Sequence, residues 1–322
     1  MRYASLVILP GDISVKTQCR GAPAIDEDLA LMPSSAATPS RARAIESANG
    51  IEVCITRQAG KPLLLLVRMA SRGMGGWDGI WDGLCEHFSV AQFDLKRPTA
   101  AQLDHPVQVF KCLARDCADV AGGLGYDGFH ILGWTGGAHL ALRCAVDLPG
   151  TLLSCTVLNP FYRLSDMRPV QKGNEFMRTL LKVGGREVYA YYWVMAGLSP
   201  AFVRTRFDEV ERMVRARLAT DTFMQAETAD VSRWTEVLRG FWVEDAELAA
   251  IKVPTLIVGS GLDPAYFGPS PDMARALHAS MPGSELAMAE GYGSLMVMEA
   301  PEVFHRLSAP FHARVTGKSH KE

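Results

Sequence analysis

The sequence shows no strong charge bias and no long apolar run. It carries 33 Lys and Arg against 35 Asp and Glu, a net charge of −2, whereas a nucleic-acid-binding chain usually has a basic surplus. We therefore exclude nucleic acid as a partner. No segment reaches the roughly 20 apolar residues that cross a bilayer, and the N-terminal "YASLVILPG" is too short for a signal peptide. These absences predict a cytoplasmic protein without a membrane partner.

Sequence patterns for metals and redox cofactors are also missing. The seven cysteines form no C-x-x-C pair and accompany no paired histidines, so we expect buried free thiols and no metal site. The glycines of "GGLGYDGFHILGWTGG" lack the G-x-G-x-x-G spacing of a dinucleotide site, and no acidic residue ends the next strand. We therefore expect no cofactor.

From Ile51 onwards, segments with strand and helix patterns alternate. The apolar runs "PLLLLV", "HILG" and "TLIVGS" predict strands covered on both faces, and helical spacing separates them. This alternation predicts a doubly wound, mostly parallel sheet. Residues 161–245 interrupt it with long helical patterns, so we predict an α/β core over 47–160 and 246–316 with an inserted helical cap. Residues 1–46, which contain a Pro-, Ser- and Ala-rich stretch, are predicted to be an arm and linker.

One predicted strand ends in a glycine-rich turn that opens a helix. Gly133-Trp134-Thr135-Gly136-Gly137 follows "FHIL" and precedes "AHLALRCAV", and it matches G-x-S-x-G with threonine at the centre. Flanking glycines allow a sharp turn that lifts the central side chain above the sheet. Backbone N–H groups at the start of the helix can stabilise an oxyanion. The motif predicts a site at Thr135, with Trp134 and Gly136 beside it.

With this motif in place, residues 51–311 resemble the α/β-hydrolase family, which implies the α/β-hydrolase fold. "LIVGSGLDPAYF" places Asp263 after the strand that carries the family's orienting carboxylate. "GSLMVMEAPEVF" is similar to the family's G-H-x-x-x-x-E-x-P ending, with Glu299 and Pro301 in register. That register puts Ser294 at the position of the general base. The resemblance implies a catalytic set made of these two positions and the central residue of the turn.

Three hallmark positions depart from the family pattern. Thr135 replaces the nucleophilic serine, Ser294 replaces the base histidine, and "LLLLV" leads into Arg68 and Met69 where the family usually has His-Gly. A hydroxyl cannot serve as a base at neutral pH, and loss of the base or nucleophile from a serine triad lowers kcat by roughly 10⁴- to 10⁶-fold. We therefore expect serine-type hydrolysis to be weak or absent. His139, one helical turn after Thr135, is expected to be a packing residue.

Three functions remain open. The first is an acyl hydrolase or acyltransferase, acting on an ester, amide or thioester, in which Thr135 attacks or positions water and Asp263 orients the base. The second is a non-catalytic binding or scaffolding protein, in which Arg68, next to Met69, would hold a carboxylate or phosphate at the pocket mouth. The third is a cofactor-free lyase or isomerase that uses the polarity of the same pocket.

A narrower resemblance and the charge of the cap bear on the choice. "HILGWTGGAHLALRCA" is similar to acyltransferases of nonribosomal peptide pathways, which move aminoacyl groups between carrier-protein thiols and have cysteine where Thr135 stands. Residues 163–217 contain eleven basic and six acidic residues, a local charge of +5. Such a cap suits an acidic carrier protein or an anionic substrate, although an ordinary solvated helix face has the same pattern.

Overall fold

The fold is that of a computed structural model and is centred on one sheet. The structure describes residues 42–68, 76–93, 95, 99, 101–163, 166, 168–220, 243–262 and 270–318. Within these residues the strands are β1 (Ala44–Ala48), β2 (Ile51–Thr56), β3 (Leu63–Arg68), β4 (Ser89–Phe93), β5 (Phe129–Trp134), β6 (Leu152–Leu158), β7 (Thr255–Ser260) and β8 (Ser284–Ala289). Their order across the sheet is β1-β2-β4-β3-β5-β6-β7-β8.

Helices lie on both faces of this sheet and in the segment between β6 and β7. In chain order they are α1 (Asp78–Leu84), α2 (Pro106–Gly123), α3 (Gly136–Asp147), α4 (Arg168–Gly197), α5 (Pro200–Thr205), α6 (Phe207–Thr220), α7 (Asp245–Ala250), α8 (Pro271–Ala279), α9 (Met296–Glu299) and α10 (Pro301–Lys318). None of the described helices is long and apolar enough to cross a membrane.

The sheet is parallel except at one edge. Strand β2 pairs antiparallel with both β1 and β4, and every pair from β4–β3 to β7–β8 is parallel. Parallel strands are covered on both faces and therefore carry continuous apolar runs. Strand β3 is such a run, because the five residues from Leu63 to Val67 are all buried.

The two faces of the sheet hold separate hydrophobic clusters, because side chains alternate along a strand. Leu63, Leu65 and Val67 pack with residues of α2, α3 and α8. Leu64 and Leu66 of the same strand point the other way and pack with residues of α1, α10 and α4. The helix that follows the glycine-rich turn, α3, therefore lies on the first face, and the cap contributes to the second.

This architecture confirms the predicted α/β-hydrolase fold, a mostly parallel sheet with helices on both faces. The described part of residues 161–245, which we call the cap, is helical apart from short connections, and the division of the chain into domains stays a prediction. Strand β1 begins at Ala44, inside the segment 1–46 that the sequence assigned to an arm and linker. Its sequence, AIESA, contains one large apolar residue, Ile45, so no apolar pattern marks this edge strand. Ile45 is exposed in the structure. Residues 1–41 lie outside the described part.

Several histidines are buried in a neutral state. His312 on α10 stacks edge-on against Phe88, with ring centroids 5.2 Å apart, and Phe88 also contacts His130 of β5 at 5.0 Å. Burial lowers the pKa of His130 to about 4. Burial also lowers the pKa of His312 to about 3, assisted by the neighbouring histidines, and that of His139 on α3 to about 3. Protonation of these rings therefore opposes folding.

Acid should destabilise this fold steeply. Unfolded histidine binds a proton below pH about 6.5, whereas His312 stays neutral down to about pH 3. Between these pH values the unfolded state binds more protons than the folded state. Each such histidine therefore lowers the free energy of unfolding by about 1.4 kcal/mol for every unit by which the pH is decreased. Urea unfolding at several pH values should show that His312→Phe removes about that much slope. The exposed His105, changed to Gln, is the control and should keep it; an unchanged slope in His312→Phe would contradict the assignment.

Candidate functional site

The turn between β5 and α3 holds Thr135 in an unusual backbone conformation. Its φ is 51° and its ψ is −111°. Only two other described non-glycine residues have positive φ, and both are asparagines, Asn49 and Asn159. A β-branched residue with positive φ is a genuine outlier. Thr135 is also the one residue from Phe129 to Ala145 that is not buried, so the turn presents its side chain at the surface of the site.

Close backbone contacts impose this turn. A Cβ built on Gly133 would lie 2.3 Å from the carbonyl oxygen of Gly137, and a Cβ on Gly137 would lie 2.1 Å from the carbonyl oxygen of Val67. No side chain fits at either position, so the first turn of α3 can rest directly on the ends of β3 and β5. The sequence predicted a sharp turn at these glycines, and their role is this close approach.

Main-chain hydrogen bonds fix Thr135 at the start of α3. Its N–H donates to the carbonyl of Leu158 at 2.9 Å, and its own carbonyl accepts from the N–H of Ala138 at 2.9 Å. Gly136 is the first residue of α3, where N–H groups have no carbonyl partner within the helix. Thr135 thus directly precedes N–H groups of the kind that can stabilise negative charge on a carbonyl oxygen.

Ser294 lies in the loop after β8, and its main chain is held by two side chains from neighbouring strands. Its carbonyl oxygen accepts from Trp134 Nε1 at 3.2 Å and from Asn159 Nδ2 at 2.9 Å. Asn159 Oδ1 in turn accepts from the N–H of Ser260 at 2.8 Å. The hydroxyl of Ser260 donates to the carbonyl of Gly293 at 2.6 Å. The ends of β5, β6 and β7 together position this loop.

The cap contacts the same loop from the other side. The N–H of Leu295 donates to the carbonyl of Gly197, the last residue of α4, at 2.8 Å. Glu299 accepts from the N–H of Ser199 at 2.8 Å. A Cβ on Gly197 would lie 3.3 Å from Ser294 Oγ and 2.6 Å from Leu295 Cγ. The end of α4 therefore packs tightly against Ser294, the residue at the predicted position of the general base.

Arg68 ends β3 directly beside the turn, in register with Trp134 of β5. Its guanidinium lies 4.7 Å from the centroid of the Trp134 ring, a cation–π arrangement. A Cβ on Gly76 would lie 2.7 Å from both Arg68 Nη1 and the Trp134 ring. Trp77 adds a second ring, with its centroid 5.5 Å from that of Trp134. The cation is thus half-buried in an aromatic setting next to the site.

The remaining predicted site residues divide into two groups. Asp263 and Met69 lie outside the described residues, so the orienting carboxylate and the oxyanion strand beyond Arg68 stay predictions. His139 is fully buried, with its ring 6.0 Å from that of Phe110 and 6.5 Å from that of Phe161. Among the described residues, no histidine nitrogen forms a hydrogen bond with the Thr135 hydroxyl.

Two residues of this site were not predicted from the sequence. Asn159 follows the apolar run of β6, and a polar residue at the end of a parallel strand is a usable signal, since such ends meet at one edge of the sheet. Gly197 ends a long helix, where glycine is the common terminating residue, so its contact with the Ser294 loop left no signal of its own.

Comparison with known proteins now identifies the family. A sequence profile of the alpha/beta hydrolase family matches residues 64–307, which is more than half of the chain. The chain belongs to the alpha/beta hydrolase family. The profile spans β3, the turn at Thr135, the cap and the Ser294 loop, so the site described above lies wholly within the hydrolase region.

Individual hydrolase relatives are distant. The putative carbamate hydrolase RutD of Azorhizobium caulinodans is 23% identical over 266 residues, which cover 79% of this chain and 91% of that protein. The fluoroacetate dehalogenase of a Burkholderia species is 29% identical over 112 residues, 33% of this chain and 36% of that protein.

Solved hydrolase structures have the same fold. An esterase from Thermogutta terrifontis superposes with a TM-score of 0.64 at 19% identity and covers 85% of this chain and 99% of its own. A 2-hydroxy-6-oxo-6-phenylhexa-2,4-dienoate hydrolase from a Rhodococcus species gives 0.66 at 14% identity, with 85% and 98% covered. At identities this low, the similarity is evidence for a common fold and gives no information about the substrate.

The close approach at the turn predicts a large effect of one methyl group. Gly137→Ala places a Cβ against the Val67 carbonyl and should lower the free energy of unfolding by about 3 kcal/mol, because backbone must move. The matched control is Gly122→Ala on α2, where a Cβ would meet nothing within 4 Å. That change should raise stability by up to about 1 kcal/mol through helix propensity. Urea unfolding measures both, and equal effects would contradict the packing argument.

Proposed function

We propose that this chain binds small acyl compounds, esters or thioesters, with the reacting carbonyl at Thr135 and its oxygen at the start of α3. Ordinary serine-type hydrolysis through Thr135 is weak or absent in this proposal. The observation that carries it is the half-exposed Thr135 side chain on a strained turn, beside the N-terminus of α3. The relatives named above support the compound class, because a carbamate hydrolase and an esterase act on carbonyl compounds.

Weak hydrolysis follows from what surrounds the threonine. An alcohol is hardly ionised near pH 7 and needs a base to become a useful nucleophile. Ser294 supplies a hydroxyl where the family has an imidazole, and a hydroxyl does not accept a proton at neutral pH. Loss of that base lowers kcat by roughly 10⁴- to 10⁶-fold in a serine triad.

Thioesters are the favoured substrate class for any covalent step. The Thr135 oxygen would attack the thioester carbonyl carbon, the C–S bond would break, and the hydroxyl proton would leave with the thiol. The sulfur departs as a thiolate and takes up the hydroxyl proton, so the product is a free thiol. Because a thiolate is a much better leaving group than an alkoxide, this step needs less help from a base than cleavage of an alkyl ester. Residues 163–217 have a local charge of +5, which suits an acidic carrier of such an acyl group. Arg206, Arg212 and Arg215 contribute to this charge and each pairs with Glu209 or Glu211.

A non-catalytic binding function is the second candidate. It is favoured by Arg68, which pairs with Trp134 of the neighbouring strand, the residue directly before Thr135. In this case the pocket would hold an anionic acyl compound without reacting. Covalent labelling separates the two candidates, because only the first forms a bond to Thr135.

Acyl transfer to Thr135 can be detected by mass. After incubation with small acyl thioesters, the intact protein should gain one acyl group, and Thr135→Ala should gain none. Ethyl acetate, under the same conditions, should give no adduct, because its alkoxide is a poor leaving group and no base assists the attack. No adduct from thioesters, combined with tight binding measured by calorimetry, would favour the binding function. Labelling by ethyl acetate would contradict the proposal.

Restoring the family residues tests whether the missing base limits hydrolysis. Thr135→Ser combined with Ser294→His should raise p-nitrophenyl ester hydrolysis by about 10³-fold or more over the parent, because nucleophile and base return together. The single variants are the matched controls and should each gain little. Gly197 packs tightly against residue 294 and leaves little room for a larger side chain. Circular dichroism therefore checks that the double variant is folded. A folded double variant without gain would show that loss of the base is not what limits hydrolysis.

A further inference from the structure

Helix α4 turns back on itself. Gly185 has a φ of 75° and interrupts the helix, and the ring of Phe176 before it meets the ring of Tyr192 after it at a centroid distance of 5.3 Å. Sixteen residues of straight helix would separate these rings by about 24 Å, so only a reversal of the chain brings them together. The seven residues 182–188 around the bend are all exposed.

The second half of α4 has two apolar faces. Tyr189, Ala190 and Val194 are buried in the cluster shared with the sheet. Val188, Tyr192 and Met195 have the i, i+4, i+7 spacing of a second helix face, on which Tyr192 is half-buried and packs partly against the same cluster. Val188 is 48% exposed and Met195 is 39% exposed.

The first half of α4 extends this apolar surface. Phe176 is 49% exposed and touches Tyr192, and Val183, seven residues later on the same helix face, is 82% exposed at the bend. We call Phe176, Val183, Val188, Tyr192 and Met195 the α4 surface. The described part of the chain shows other large exposed apolar side chains mainly as single residues, such as Val107 on α2 and Ile45 on β1.

Basic residues outnumber acidic residues among the exposed charged side chains of α4. The exposed charged residues of α4 are Arg168, Lys172, Arg178, Lys182, Arg186, Glu175 and Glu187, a net charge of +3. Lys182 and Arg186 bracket the bend that carries Val183. An apolar stripe with aromatic residues and flanking Lys and Arg is the composition of a helix that lies in the interface of an anionic membrane.

We propose that the α4 surface docks this protein on an anionic lipid surface. The lack of a membrane-spanning segment led us to expect no membrane partner, but docking at the lipid interface needs no such segment. The charge of α4 complements acidic phospholipid headgroups, and the apolar side chains enter the boundary between headgroups and acyl chains. A lipid surface fits this composition, because it takes up exposed apolar side chains accompanied by basic residues without needing a matching groove. This docking is independent of any chemistry at Thr135.

Vesicle flotation with the full chain tests the proposal. Vesicles of phosphatidylcholine with about one third phosphatidylglycerol should bind the protein, and vesicles of phosphatidylcholine alone should bind it about tenfold less well or worse. Raising the salt to about 0.5 M should weaken binding, because screening shortens the reach of the basic residues. The variant Val183→Glu/Val188→Glu should bind at least about tenfold less well. Val107→Glu makes the same type of substitution at a 41% exposed valine on α2, and this variant should bind as the parent does.

Two further measurements keep the outcome decisive. Circular dichroism and thermal unfolding should show that the α4 variants remain folded, since both valines are exposed in the parent. Thr135→Ala should bind vesicles unchanged, which separates this proposal from the one on acyl chemistry. The proposal fails if no vesicle binds the parent or if the double α4 variant binds equally well. It also fails if light scattering shows a dimer that this variant dissociates, because the α4 surface would then join two copies of the chain.

Discussion

Close backbone contact between the first turn of α3 and the ends of β3 and β5 is the constraint on which the site depends. A Cβ on Gly137 would overlap the carbonyl oxygen of Val67, and a Cβ on Gly133 would overlap the carbonyl oxygen of Gly137. The chain must therefore reverse direction within one residue between strand and helix. That residue is Thr135, and its positive φ is a consequence of the packing around it.

Hydrogen bonds then fix the other side of the site relative to this turn. Parallel strands end at one edge of a sheet, so β5, β6 and β7 bring Trp134, Asn159 and Ser260 together there. Their polar groups donate hydrogen bonds to the main-chain carbonyl oxygens of Gly293 and Ser294. The hydrogen bonds that position the loop therefore do not involve the side chain at residue 294, which is constrained instead by its packing against Gly197.

Sequence reasoning found the features whose signals are local. The apolar runs, the alternation with helices and the glycines around Thr135 each lie within about ten residues, and the fold and the turn followed from them. Asn159 and Gly197 act on a loop roughly a hundred residues away, and no local pattern records such a contact. The edge strand at Ala44 was missed for a different reason, since an edge strand with few apolar residues resembles a linker.

The identity of the residue at the turn carries more functional information than its conformation, because packing explains the backbone but not the side chain. Glycine tolerates positive φ without steric cost, and this chain uses asparagine at Asn49 and Asn159, where φ is 51° and 47°. A strained backbone of this kind costs on the order of 1–3 kcal/mol, and β-branching places threonine among the least suited residues. Glycine or asparagine would serve stability better than Thr135 does. Stability therefore does not account for the threonine, and its side chain is the part of the turn that a functional test must address.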